Sequence, residues 1–110
     1  MKIVENKYIP PKGFIALNLF GVIFCRDASL LTRVVKNHEK IHTAQMKELL
    51  YVFYYIWYFI EWLFKLIWYL DSHAAYRNIS FEREAYRKEK NLAYISKREK
   101  YAWVKYIFNS

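Results

Sequence analysis

The sequence predicts a mainly α-helical protein of the α+β class, with three helices and a small N-terminal β-hairpin. Hydrophobic residues make up 55% of the 110 residues and aromatic residues 21%, which is too apolar for a disordered chain. Only 2 Gly and 2 Pro are present, which is too few turn formers for a many-stranded sheet protein. A chain of this length predicts a single domain over residues 1–110.

The N-terminal quarter of the chain is predicted to be extended. Pro10 and Pro11 exclude helix there, so we expect residues 1–12 to form an extended arm. Residues 13–26 are rich in Phe, Ile and Val, contain an internal glycine and lack helix caps. This pattern predicts a β-hairpin whose second strand lies near residues 22–26.

Three helices are predicted after the hairpin. The first, about residues 29–47, has apolar residues at helical spacing and can be capped by Asp27 or Ser29. The second, about residues 48–70, is an apolar run without Gly or Pro, and the third, about residues 80–97, carries acids in its first turn. A linker joins the last two helices. The C-terminal tail is basic and aromatic, and the sequence does not decide whether it forms a helix or a strand.

The first of these helices carries His38, Glu39 and His42 in the order H-E-x-x-H. Two histidines four residues apart lie one turn apart on one helical face, so both imidazoles can reach one ion. Zinc binds neutral imidazole nitrogen, keeps a position open for water and lowers the pKa of that water. Glu39 can then act as general base. The motif therefore predicts Zn²⁺ as cofactor and Glu39 as the catalytic residue.

A solvated helix face is the alternative explanation of this motif. Lys36, Asn37 and Lys40 surround the histidines with polar and charged side chains. However, the chain has only three histidines, and two of them lie in the motif. We favour the metal site and keep the solvated face as the alternative.

A catalytic zinc site needs a third protein ligand, and few acids follow the motif. Glu48 points away from the histidines on a continuing helix. Glu61 lies nineteen residues beyond His42, which is about 28 Å along a straight helix. Asp71, His73 and the acids of the third helix therefore remain as candidates.

Within the third helix we choose Glu82 as the third ligand. It shares a helical stripe with Ala85 and Glu89, and the small residue at position 85 lets this helix approach another closely. Glu84 instead shares a face with basic residues that we expect to be solvated. The alternative is that both first-turn acids, Glu82 and Glu84, only complement the helix dipole.

The segments NHEKIH and FEREAY together resemble the motifs of gluzincin zinc metallopeptidases, in the form of a minimal zincin-like catalytic core. The matching residues cover 38–42 and 82–86, and much of the chain between them is unmatched. The resemblance implies that the ligands are His38, His42 and Glu82 and that the base is Glu39.

Three more side chains and one strand are candidate parts of this site. His73 and Tyr76, on the linker, could stabilise an oxyanion, although a loop position without that role is the alternative. Tyr86 stands where gluzincins commonly carry Asp or Asn beside the ligands. The resemblance also implies that a strand just before the active helix pairs with an extended substrate. That edge strand would here comprise Val22, Ile23 and Phe24.

Residues 49–70 are long enough to cross a bilayer, but a spanning segment and the predicted zinc site exclude each other. His42 and Glu82 would then lie on opposite faces of the membrane, and residues 71–81 could not recross it as coil. A helix lying in a membrane surface, a core helix and a helix that forms a homo-oligomer all remain open. The formal net charge of +8 favours an anionic partner.

The second helix also carries a polar-tipped stripe, which consists of Tyr51, Tyr54, Tyr58, Glu61, Lys65 and Trp68. Tyrosine favours interfaces with one wet side. The stripe therefore suits a helix that lies in a membrane surface, with a core or dimer helix as the alternative.

These features predict a small zinc-dependent metallopeptidase or peptidase-like domain that acts on a peptide or protein substrate. One alternative is a non-catalytic membrane-surface or oligomeric helical protein with an incidental H-E-x-x-H. Another is a basic nucleic-acid binder, because residues 94–106 interleave basic and aromatic side chains. A solvated amphipathic face is the more common cause of such interleaving.

Cys25 is the only cysteine, which excludes an intrachain disulfide. The first residues lack a signal-peptide core, which predicts a cytoplasmic location, peripheral to the inner membrane face if lipid is bound.

Overall fold

The computed structural model describes residues 2–108 and shows a mixed α+β architecture. One sheet contains the strands Lys2–Glu5 (β1), Ala16–Leu19 (β2) and Val22–Cys25 (β3). The helices within the described residues are Arg33–Glu48 (α1), Val52–Tyr69 (α2), Ser72–Arg77 (α3), Ser80–Lys88 (α4) and Tyr94–Lys97 (α5). A 3₁₀ turn at Ala28–Leu30 precedes α1, and another at Ala102–Tyr106 follows α5.

The sheet contains the predicted hairpin and one strand that the sequence did not predict. β2 and β3 pair antiparallel around Phe20 and Gly21, whose φ angles of 54° and 90° are those of a type I′ turn. The N-terminal arm supplies β1, which pairs parallel with β3 to give the strand order β1-β3-β2. Parallel pairing across this distance leaves no local sequence pattern, which is why β1 was predicted only as extended chain.

The prediction that Val22, Ile23 and Phe24 form an edge strand is wrong. Their strand is the central one, with β1 on one side and β2 on the other, so its backbone has no free edge. β2 is the edge strand beside α1. Asn18 Nδ2 donates to the backbone oxygen of Glu39 (3.1 Å) and joins this strand to the helix that carries the H-E-x-x-H motif.

α1 ends in a tight turn, and α2 leaves it at an angle of 108°. The Tyr51 N–H donates to the Met46 oxygen (2.7 Å) and the Leu50 N–H to the Lys47 oxygen (3.3 Å), which is the bond pair of a Schellman cap. Leu50 and Tyr51 take positive φ angles of 54° and 62°. Glycine usually occupies this left-handed position. Because no glycine marks this turn in the sequence, the second helix was predicted to begin at residue 48, whereas α2 begins at Val52.

The prediction of three helices is wrong in number, and the third helix is shorter than expected. The helix predicted over residues 80–97 ends at Lys88. Asn37 of α1 explains this end, since its Nδ2 donates to the backbone oxygens of Glu89 (2.7 Å) and Asn91 (3.1 Å). These bonds satisfy carbonyls beyond the last helical turn, and helix resumes only in α5.

The N-terminus of α4, which carries Glu82, is fixed by a side chain from α2. The Glu61 carboxylate accepts both the backbone N–H and the hydroxyl of Ser80, each at 2.6 Å. A buried carboxylate at this position also complements the helix dipole. The predicted linker before α4 contains α3, whose start is capped by Asp71 through the Ala74 N–H (2.9 Å). The Glu61 cap therefore joins the start of α4 to α2, and the Asp71 cap fixes the start of α3.

No single helix within residues 2–108 is long and apolar enough to cross a membrane. α1 and α2 meet the criteria of length and composition only when taken together, and that pair is sharply bent. The main core cluster packs beneath α2, with the rings of Tyr54 and Phe81 stacked at 4.5 Å. Its buried members are Met46, Tyr54, Ile79, Phe81 and Trp103.

Candidate metal centre

Three ligand atoms converge between α1 and α4. The Nε2 atoms of His38 and His42 are 3.0 Å apart, and Oε1 of Glu82 lies 3.2 Å from the first and 3.1 Å from the second. All three side chains are buried. The structure thus brings together the three residues that the sequence proposed as ligands, and this group could hold a metal ion.

The hydrogen bonds of Gln45 determine which nitrogen of His42 faces the centre. The Gln45 amide nitrogen donates to the Phe81 backbone oxygen and to the Glu84 carboxylate, each at 3.0 Å. Its oxygen therefore faces His42 Nδ1 at 2.8 Å and accepts the hydrogen from that nitrogen. The lone pair of His42 is then on Nε2, which points at the centre.

The other two ligands are oriented in the same way. His38 Nδ1 lies 2.8 Å from a Glu89 carboxylate oxygen, so this nitrogen carries the hydrogen and Nε2 the lone pair. Tyr58 donates to Oε2 of Glu82 at 2.8 Å and leaves Oε1 for the centre. A carboxylate behind a ligating histidine is the usual arrangement in protein metal sites.

These orientations place two nitrogen lone pairs and one carboxylate oxygen around a single point. Such a group is repulsive unless a proton or a metal ion lies between its members. A tetrahedral ion with bonds of about 2.0–2.1 Å spaces its ligand atoms by roughly 3.3 Å, close to the observed separations of 3.0 to 3.2 Å. The spacing of the three ligand atoms therefore fits a small metal ion.

Without metal, a proton occupies this centre. Burial by itself lowers the pKa of His42, but the Glu82 carboxylate outweighs burial and raises that pKa to about 9. Burial likewise raises the pKa of Glu82, but the two imidazoles outweigh it and hold that pKa well below its usual range. Metal binding must therefore displace a proton.

We expect the stability of the metal-free protein to fall as the pH rises from 6.5 to 9. The pKa of His42 rises from 6.5 to about 9 on folding, so its contribution is complete below pH 6.5 and is lost as the pH passes 9. The contribution of Glu82, whose pKa is lowered, is instead present above its unfolded value of 4.5 and is lost in acid.

Urea unfolding in the presence of a chelator measures this effect at pH 6.5 and pH 9. The His42→Ala variant is the control and should not show the His42-dependent part of the loss. Equal stability of the wild type at both pH values would show that no shared proton holds the centre together.

Glu39 lines the same cavity as the three ligand residues. The cavity has a volume of about 320 Å³, and its wall includes β2, α1 and α2. Burial raises the pKa of the Glu39 carboxyl, although the charges of His42 and His38 act in the opposite direction. A raised carboxyl pKa suits proton transfer near neutral pH. The Glu39 backbone is fixed by Asn18, so its side chain leaves α1 at a defined position on the cavity wall.

The other residues that the sequence proposed for this site, Tyr76, Tyr86 and His73, differ in how closely they approach the three ligand residues. Tyr76 lines the cavity, and its hydroxyl lies 2.9 Å from that of Tyr86. Burial raises the pKa of Tyr76, so its hydroxyl stays protonated at neutral pH. The Tyr86 ring packs against the His38 ring at 4.5 Å. His73 is exposed on α3 and lines an adjoining cavity that also reaches Glu39.

Sequence reasoning gave no orienting role to four residues that contact the ligand side chains: Gln45, Tyr54, Tyr58 and Glu89. Gln45 lies three residues after His42, so helical spacing could have suggested a contact. The Tyr54 hydroxyl lies 3.3 Å from His42 Nδ1. Tyr54 and Tyr58 belong to the polar-tipped stripe that was assigned to an interface. Only the bend after α1, which turns this stripe toward the centre, reveals their role.

Comparison of the chain with models of protein families, with curated proteins and with solved structures finds no match. The resemblance to gluzincins therefore depends on the spacing of the motif and on the geometry of the His38, His42 and Glu82 group. That geometry supports a metal-binding group without assigning the chain to a family.

Proposed function

We propose that this protein is a small zinc-dependent peptidase whose metal is held by His38, His42 and Glu82. The observation that carries the proposal is the position of Glu39 on the wall of the cavity that also contains the three ligand residues. Three protein ligands beside a cavity are typical of a catalytic zinc site, whereas structural zinc usually has four protein ligands. Two imidazoles and a carboxylate favour zinc among the available cations.

The proposed chemistry assigns a separate task to each side chain. Bound zinc supplies a Lewis acid and a water molecule of lowered pKa. Glu39 accepts a proton from the attacking water and passes it to the leaving amine. The protonated hydroxyl of Tyr76, on the wall of the same cavity, donates a hydrogen bond to the charge that develops on the carbonyl oxygen.

The edge of β2 that faces away from β3 is the proposed site for an extended peptide. Hydrogen bonds alternate along an antiparallel ladder, and the Asn18 carbonyl accepts from the Tyr55 hydroxyl (3.0 Å) instead of from β3. The N–H of Asn18 and both backbone groups of Ala16 therefore also face away from β3. β2 lines the cavity that contains Glu39. A peptide that adds to this edge would pass the metal ligands, with backbone groups as its anchors.

The Glu39→Gln variant tests the proposal. We expect it to retain one zinc per chain, because Glu39 is not a ligand, and to lose hydrolysis by about a hundredfold or more, the usual contribution of a general base. Elemental analysis of the purified protein measures the zinc. A peptide library with mass-spectrometric detection of cleavage products measures hydrolysis.

Glu99→Gln is the matched control, since it makes the same substitution at an exposed acid and should retain both properties. Wild-type protein without stoichiometric zinc would refute the metal site. Wild-type protein with zinc that cleaves no member of the library would refute the peptidase and leave a metal-binding domain of another function.

A further inference from the structure

α2 exposes half of its circumference as an uninterrupted apolar surface. We call this surface the outer α2 face; its principal residues are Phe53, Ile56, Ile60, Phe64, Ile67 and Trp68, which are 43% to 80% exposed. At 100° per residue, the exposed apolar positions of α2 occupy an arc of about 180°. Large aromatic side chains each contribute roughly 150–250 Å² when fully exposed, so the face presents on the order of 1,000 Å². Patches of this size mark interaction sites.

The two charged side chains of α2, Glu61 and Lys65, do not reach the outer α2 face. Glu61 is 5% exposed and binds Ser80 at the start of α4. Lys65 points inward as well, where its Nζ donates to the backbone oxygens of Asn78 and Ile107, each at 2.8 Å. Both charged side chains of α2 therefore lie on the inner side, and the outer α2 face carries no charge.

Positive charge dominates the exposed surface of the protein, and some of it lies at one margin of this uncharged face. Within residues 2–108, fourteen basic side chains but only four acidic ones are exposed. The C-terminal segment lies directly beside α2, since the rings of Trp57 and Trp103 are 5.9 Å apart. This segment exposes Lys100 and Lys105 together with the apolar Val104. Two exposed lysines thus lie in the segment that adjoins one margin of the apolar face.

We propose that the outer α2 face docks on an anionic lipid surface, with α2 lying parallel to the membrane. A broad apolar face with basic residues at its margin is the pattern of a helix that rests in the headgroup region. A second copy of this chain would bring the same net charge of +8 to the interface and would be repelled, whereas anionic lipid is attracted. The inner half of α2 packs on protein, so only one half is free for lipid.

This inference does not depend on the metal centre and holds for metal-free protein. The docked helix would bury the margin residue Trp68, which is 80% exposed in the structure. Its indole would enter the interface, where tryptophan is favoured. Lipid binding should therefore shift the tryptophan emission to shorter wavelength, and brominated lipids should quench it.

Flotation with vesicles of phosphatidylcholine and phosphatidylserine tests the proposal. We expect the wild type to bind vesicles that contain phosphatidylserine, and the Ile56→Glu/Phe64→Glu variant to bind at least tenfold more weakly. Leu30→Glu/Leu92→Glu is the matched control because it makes the same change of charge at apolar positions of similar exposure, 51% and 52%, outside α2. The control should lose less than threefold.

Three results would overturn the proposal. One is the absence of vesicle binding by the wild type, and another is an equal loss of binding in the two double variants. The third is a concentration-dependent dimer of the wild type in lipid-free sedimentation that only the α2 variant abolishes, since this would show a second copy on the face. The exposed substitutions should leave the fold intact, which circular dichroism checks for both variants.

Discussion

The Glu82→Ala variant should lose stoichiometric zinc, and zinc should no longer raise its melting temperature. Glu82 supplies one of the three converging ligand atoms, and its second oxygen is already bound to Tyr58. Structural zinc sites with four ligands bind with about 10–16 kcal/mol. One ligand therefore accounts for roughly 2.5–4 kcal/mol, which corresponds to a loss of about seventyfold to several hundredfold in zinc affinity.

Elemental analysis and thermal unfolding with and without added zinc measure this result. A ligand that binds only the folded state stabilises it by mass action, so the wild type should melt at higher temperature with zinc. Glu99→Ala removes an exposed carboxylate and should behave as the wild type does. A Glu82→Ala protein that keeps zinc would exclude Glu82 as a ligand. A wild type that zinc does not stabilise would make the group a protonated hydrogen-bond cluster of the core.

The sequence predicted the parts of the centre that depend on local structure. His38, Glu39 and His42 lie within one helical turn, and helical periodicity alone places both histidines on one face. Thr32, which caps α1 through the Val35 N–H, was not predicted, although Asp27 and Ser29 were proposed within a few residues of it. Such local features follow from short-range spacing, which the sequence displays directly.

The third ligand could be predicted only by elimination. Glu82 lies forty residues from His42, and its approach depends on the sharp turn at Leu50, the Glu61 cap on α4 and the Asn37 contacts beyond Lys88. None of these features has a sequence signature. The turn uses a leucine where glycine is usual, and both caps join residues that are far apart in the chain.

The orientation of the polar-tipped stripe of α2 could not be predicted from the sequence either. Helical spacing grouped six residues from Tyr51 to Trp68 on one stripe, but it could not determine which way the stripe points. In the structure the stripe faces the interior, where Tyr58 binds Glu82 and Glu61 caps α4. Trp68 is the exception to that prediction, since it is 80% exposed on the outer α2 face. Orientation is a tertiary property, because either face of an apolar helix can be buried when the opposite face meets lipid or a partner.

The Arg98→Ala variant should lose about 3–5 kcal/mol of unfolding free energy, the usual cost of leaving a buried charge without its partner. Arg98 binds the Glu84 carboxylate through Nε at 2.6 Å and the Glu48 carboxylate through two nitrogens at 3.0 Å. The prediction that Glu84 is solvated is wrong: its side chain is fully buried, so it cannot recover water when the guanidinium is removed. Urea unfolding measures the loss. Arg87→Ala, at an exposed arginine, is the control and should change stability by less than about 0.5 kcal/mol.

The same variant should also weaken zinc binding, because Arg98 ends a chain of contacts that reaches a ligand. Arg98 holds Glu84, Glu84 accepts from the Gln45 amide, and the Gln45 oxygen fixes the hydrogen on His42 Nδ1. Loss of groups that orient a ligand typically costs 10–100-fold in affinity. Zinc titration under conditions where Arg98→Ala remains folded separates this effect from instability. A destabilised variant with unchanged zinc affinity would show that Gln45 keeps its orientation through its bond to the Phe81 oxygen alone.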